Sequence, residues 1–213
     1  MDYICIGEDC LPRSLFTFSK IKRSKSEGEL TLPFDLMISD IQSIQVLLED
    51  NFTSFFDDLK STPHSKFIND GNFIQNKYKN FIFNHESEST CRGYHIDENM
   101  YTKNDFNEFK SRYQQRIANF KSIIHSNTKK CFIVHLIHIE SYNYIDTFIS
   151  FLFKKFGENI EIFVIFSETT KNIDKVDDDR VTYFSYALDG LWNTPPENLD
   201  ILVTNFLSIY RNE

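Results

Sequence analysis

KCFIVHLIHI (Lys130–Ile139) and IEIFVIF (Ile160–Phe166) are the two stretches that decide the fold of this chain. Both are near-continuous apolar runs rich in Ile, Val and Phe, the pattern of strands covered on both faces in a parallel sheet. Between them Ile145, Phe148, Ile149, Leu152, Phe153 and Phe156 recur at helical spacing, and Gly157 follows where a helix C-cap belongs. Strand, helix and strand in that order predict a βαβ unit. Downstream, an acidic turn (Asp177, Asp178, Asp179) precedes a third strand at Val181–Ser185. Pro195 and Pro196 then precede a closing amphipathic helix marked by Leu199, Leu202, Val203, Phe206 and Ile209.

Upstream, Phe106, Phe109, Tyr113, Ile117, Phe120 and Ile124 define one face of a helix over Asn104–His125. KNFIFN (Lys79–Asn84) reads as a short strand ending at His85. Ser39 with Gln42 is a capping-box pattern ahead of the stripe Ile41, Ile44, Leu47, Leu48. Tyr3–Ile6 is a short strand that reaches Gly7 and a Glu8–Asp9–Cys10 turn, with Pro12 at a helix start; the polar segment Ser19–Leu32 is a surface loop. Alternating elements predict a single α/β domain over residues 1–213, a layered αβα fold with a largely parallel sheet.

The 213 residues suit one domain. Lys plus Arg is 23 against 31 Asp plus Glu, a net charge of −8, which argues against nucleic acid as a partner. No apolar run is long enough for a membrane span and the N-terminus lacks a signal-peptide pattern, so the expected location is cytoplasmic. The 22 Phe are read as core residues replacing aliphatics. Cys5, Cys10, Cys91 and Cys131 have no CxxC spacing and are expected as thiols, with no metal and no cofactor.

In a parallel sheet, the residues just beyond the strands gather along one edge, where ligands bind. Here these are Gly7–Cys10, His85 and Glu86, His138 and Glu140, Ser167 and Glu168, and Asp189–Trp192. A thiol at a strand-to-helix turn meets the positive end of the helix, which favours the thiolate and makes Cys10 the candidate nucleophile. His85 is the candidate base, with Asp35 or Glu86 to orient its ring and the N–H groups of the helix start to hold an oxyanion. His135 and His138 fall on opposite faces of a strand and do not share a metal. His138 and Glu140 share a face but make only two ligands. Arg112 and Arg116, four apart, are either an anion clamp or part of a solvated face.

Four blocks, ICIGEDCLPRSL (Ile4–Leu15), LPFDLMIS (Leu32–Ser39), DNFTSFF (Asp50–Phe56) and NKYKNFIFNHE (Asn76–Glu86), followed by RYQQRIANF (Arg112–Phe120), resemble in order and spacing the putative papain-like cysteine peptidases. One departure is Leu36, where that family has Trp after Phe-Asp. The resemblance implies Cys10 as nucleophile and His85 as its histidine; beside it, from the sheet edge, Asp35 is the candidate third group and Glu86, Arg116 and His138 are candidate substrate contacts. The resemblance also implies a papain-like α+β core as the alternative to the parallel sheet. The expected activity is thiol-dependent hydrolysis or acyl transfer on a small-molecule, peptide or glycan substrate. Two alternatives stand beside it: a glycosyl or phosphosugar transferase of surface-polysaccharide synthesis, with Gly7–Cys10 and Arg116 cradling a phosphate, and a non-catalytic binding module.

Overall fold

The computed structural model describes residues 1–23, 25–63, 71–76, 81–157, 159–167 and 175–186, with residues 204 and 208. In chain order the elements are β1 (Asp2–Cys5), α1 (Leu11–Phe18), α2 (Ile41–Glu49), β2 (Lys60–Pro63), β3 (Asn72–Gln75), β4 (Ile82–Phe83) and α3 (Glu88–Gly93). They continue with α4 (Lys103–Ile124), β5 (Lys130–Leu136), α5 (Ile139–Tyr142), α6 (Ile145–Phe156), β6 (Ile160–Ser167) and β7 (Val181–Tyr186).

The principal sheet has the order β1-β5-β6-β7 with every neighbouring pair parallel; β2, β3 and β4 form a small antiparallel sheet. Phe132 lies beside Ile4 and Ile162, and Ile133 beside Cys5 and Phe163. Alternation therefore sends Phe132, Val134 and Leu136 to one face and Cys131, Ile133 and His135 to the other. The first face packs with Ile44 and Leu48 of α2, Phe120 of α4 and Phe148 and Leu152 of α6 in one continuous core. The second packs with Leu15 and Phe16 of α1. Helices on both faces of a parallel sheet make the αβα layering, and the seven residues of β5 are all buried, as a near-continuous apolar run leads one to expect. Each Ile, Leu or Phe so enclosed stabilises the fold by about 1.5–3 kcal/mol relative to exposure.

The βαβ unit forms where the spacing places it, and α6 ends at Gly157, whose φ of 85° an L side chain rarely adopts. Other boundaries move for local reasons. β5 stops at Leu136 instead of continuing to Ile139, because the carboxylate of Glu8 takes the N–H groups of Ile137 and His138 out of the ladder. His138 and Glu140 consequently do not lie on a strand. Helix α2 is capped by Asp40, which accepts from the Ser43 N–H at 2.7 Å; Ser39 instead donates its hydroxyl to the Gly7 carbonyl. The strand expected over Lys79–Asn84 is cut to Ile82–Phe83, and residues 77–80 lie outside the described set. Helix α4 opens with a left-handed turn at Asn104, Asp105 and Phe106 and is regular after it. The Asp177–Asp179 turn is solvated, with Asp178 paired to Arg180. Glu168 and the Asp189–Trp192 turn fall outside the described residues, as does the closing helix apart from residues 204 and 208, which are helical. Among the described residues no helix is long and apolar enough to cross a membrane.

Candidate functional site

Backbone pairing carries the site's two halves together. The parallel ladder runs past β1, with the Ile6 N–H on the Ile133 carbonyl and the Glu8 N–H on the His135 carbonyl, each at 2.9 Å. Gly7 is required at this crossing: a Cβ there would stand 2.8 Å from both the Cβ and the amide nitrogen of His135. The Ser39 N–H then donates to the Glu8 carbonyl at 3.1 Å, and Ile38 exchanges two 2.9 Å hydrogen bonds with Ile82. Three residues after Ile82 comes His85, in a single 3₁₀ turn over Asn84–Glu86. Its Nε2 lies 3.7 Å from the Cys10 sulfur, a hydrogen-bonding approach between side chains 75 residues apart. With the ring proton on Nδ1, the thiol donates to Nε2.

Glu8 is fully buried and accepts from the N–H groups of Ile137 and His138 and from the Ser141 hydroxyl, which fixes the loop. Asp9 accepts from the Leu11 N–H at 2.9 Å and meets His135 Nδ1 at 2.7 Å, while His135 Nε2 meets the Tyr186 hydroxyl at 2.8 Å. Asp9, His135 and Tyr186 thus form a buried chain directly behind Cys10. Pattern reading missed it. The available signal was register: Asp9 follows β1, which pairs with β5, His135 lies near the end of β5, and Tyr186 ends β7, one strand further on across β6.

The third groups considered for the histidine are both engaged elsewhere. Asp35 is fully buried, accepts from the Leu32 N–H at 2.8 Å and pairs with Arg13, so it staples the Leu32–Leu36 turn to α1. Glu86 accepts from the Tyr113 hydroxyl and from Arg116 Nη2, both at 3.1 Å, and Arg112 Nε stands 3.2 Å from it. Glu86 therefore pins the turn that bears His85 to α4. Among the described residues neither carboxylate bonds the His85 ring. Arg112 and Arg116 clamp an anion, as their spacing allows, but it is the chain's own Glu86. Arg116 is only 4% exposed and is no part of a solvated face. His138 begins α5, half-buried.

Electrostatics depart from the expected thiolate. Cys10 is 6% exposed, and burial, reinforced by Asp9, pushes its thiol up to about 12. Desolvation outweighs the end of an eight-residue helix. Burial, together with Arg116 and Arg112, pushes His85 below its ordinary value, while burial pushes Glu86 up against the pull of both arginines. The resting pair is a neutral thiol beside a neutral imidazole. The expected oxyanion donors are largely spent, since the Leu11 N–H is held by Asp9 and Pro12 has none. All four cysteines are buried thiols without a disulfide. No cluster of three or more His, Cys, Asp or Glu suited to a metal occurs among the described residues.

Residues 1–173 match the model of the family described as "Putative papain-like cysteine peptidase (DUF1796)". No curated protein and no solved structure matches the chain.

Proposed function

The chain belongs to this family, and on that premise we propose that it is a cysteine-dependent hydrolase or acyltransferase in which Cys10 attacks and His85 carries the proton. The observation that supports the reading is the 3.7 Å approach of Cys10 Sγ to His85 Nε2. As Sγ bonds to the carbonyl carbon of a small-molecule or peptide substrate, the thiol proton passes to Nε2 and the carbonyl electrons move onto oxygen. Collapse of this adduct breaks the bond to the leaving group, which receives the proton from His85, and leaves a thioester on Cys10. Water or another acceptor then attacks the thioester, with His85 as base, and restores the thiol. A neutral imidazole suits this cycle because it is already in its proton-accepting form at neutral pH. The pinned turn that carries the ring orients it, no carboxylate among the described residues bonding it; Asp35 acts through Arg13 on the helix that Cys10 precedes.

Activated esters and thioesters are the substrates for the test. Turnover by the full chain is compared with Cys10→Ser and His85→Ala, each of which is expected to lose about 10²–10⁴ of the rate. Cys10→Ser turning over as fast as the unchanged chain would overturn the reading and return the edge to a transferase that uses no thiol.

A further inference from the structure

The two arginines beside His85 are not balanced. Glu86 Oε1 is shared between Arg112 Nε and Arg116 Nη2, and Oε2 is taken by Tyr113, so a single carboxylate faces two guanidiniums. The Arg116 guanidinium carbon lies over the Tyr113 ring, 4.3 Å from its centroid, and its Nη1 is buried with no hydrogen-bond partner among the described residues. Among the described residues Asp35 also acts on Arg116; one of its oxygens is committed to Arg13 and to the Leu32 N–H, and the other is buried and makes no hydrogen bond to Arg116. A buried N–H without an acceptor is costly, and such a deficit is removed when a ligand supplies the missing acceptor. Solvent reaches this cluster at Arg112, whose side chain is 37% exposed, and at the partly exposed His85.

We propose that Arg112 and Arg116 form a carboxylate subsite beside Cys10, which seats the anionic end of an acidic acyl substrate and thereby activates the Cys10–His85 pair. The proposal rests on the nucleophile reading of Cys10. Planar guanidiniums match a carboxylate's two oxygens, which gives the substrate class: a reactive carbonyl within a few bonds of a carboxylate. Activation follows from the same geometry. The positive field of the two arginines opposes protonation of His85, and a bound carboxylate cancels it at the moment the imidazole must accept the thiol proton.

The test uses two alkylating reagents that differ in charge. Iodoacetate carries a carboxylate and iodoacetamide does not; both form a bond from Sγ to carbon and expel iodide. Rates at Cys10 are read by peptide mass mapping of the full chain, each divided by the rate with free cysteine under the same conditions. The expected result is a normalised preference for iodoacetate of about tenfold or more, the equivalent of one modest charge-assisted contact. That preference saturates with reagent, competes with acetate, and falls in Arg112→Gln, a half-exposed position that spares the core, and in Arg116→Lys. Equal normalised rates, or a preference that both variants retain, would overturn the subsite while leaving Cys10 a nucleophile. Cys10 unlabelled by either reagent would overturn the nucleophile reading, and the subsite with it.

Discussion

Replacing Glu86 by Gln tests the link between the histidine-bearing turn and α4. The side chain is 2% exposed and accepts from Tyr113, Arg116 and Arg112, so the substitution keeps the volume but leaves the Arg116 guanidinium, 4% exposed, without its counter-charge. Breaking a buried pair by removing one partner destabilises by about 3–5 kcal/mol. Arg112 reaches water and adds less than about 1 kcal/mol. For a chain of this size, each kcal/mol lowers the melting temperature by about 2–4 °C, so Glu86→Gln is expected to lower it by about 6–20 °C. Circular dichroism melts at pH 7 measure this. The double variant Glu86→Gln with Arg116→Met separates the stranded charge from lost packing, and it is expected to recover part of the loss. A fall below about 2 °C in the single variant, or a double variant as unstable as the sum of the two singles, would refute the reasoning.

Three further outcomes follow from the same geometry. Gly7→Ala places a Cβ 2.8 Å from His135 atoms and is expected to cost about 1–3 kcal/mol, read as a lower urea midpoint; an unchanged midpoint contradicts the close crossing. Tyr186→Phe removes the hydroxyl that meets His135 Nε2 and leaves a buried ring nitrogen unpaired, at a cost of about 1–3 kcal/mol by the same assay; equal stability would show that the buried chain adds nothing. Because the Cys10 thiol is pushed up to about 12, its alkylation by iodoacetamide is expected to rise about tenfold per pH unit from 7 to 10 without levelling. A plateau near the ordinary cysteine value would show that burial does not control the sulfur.

The parallel sheet was legible because β5 and β6 are apolar on both faces, and such runs have few other places to go. The pairing of Cys10 with His85 was suggested by the gathering of strand ends along one edge and supported by the order of the motif blocks, but nothing in a spacing of 75 residues announces the Ser39 and Ile38 bridges that close it. The roles of Asp35 and Glu86 were not legible, because an acid beside a histidine in sequence points elsewhere once a 3₁₀ turn intervenes. One signal was available and unused. Arg116 falls on the same helical stripe as Tyr113, Ile117 and Phe120, so its burial follows from the period that identified α4, and a buried arginine demands an acid. The thiolate expectation failed on magnitude: a helix end contributes fractions of a kcal/mol to about 2, whereas burial with Asp9 nearby raises the Cys10 thiol from the ordinary 9.0 to about 12, the equivalent of about 4 kcal/mol.

The measurement closest to the central claim is intact-mass and peptide analysis of the full chain quenched within one turnover of an acyl substrate. The account predicts an acyl increment on the peptide bearing Cys10, accumulating in the unchanged chain and slowed by at least about a hundredfold in His85→Ala. Substrate consumed with Cys10 unmodified, or the acyl group on another residue, would contradict it.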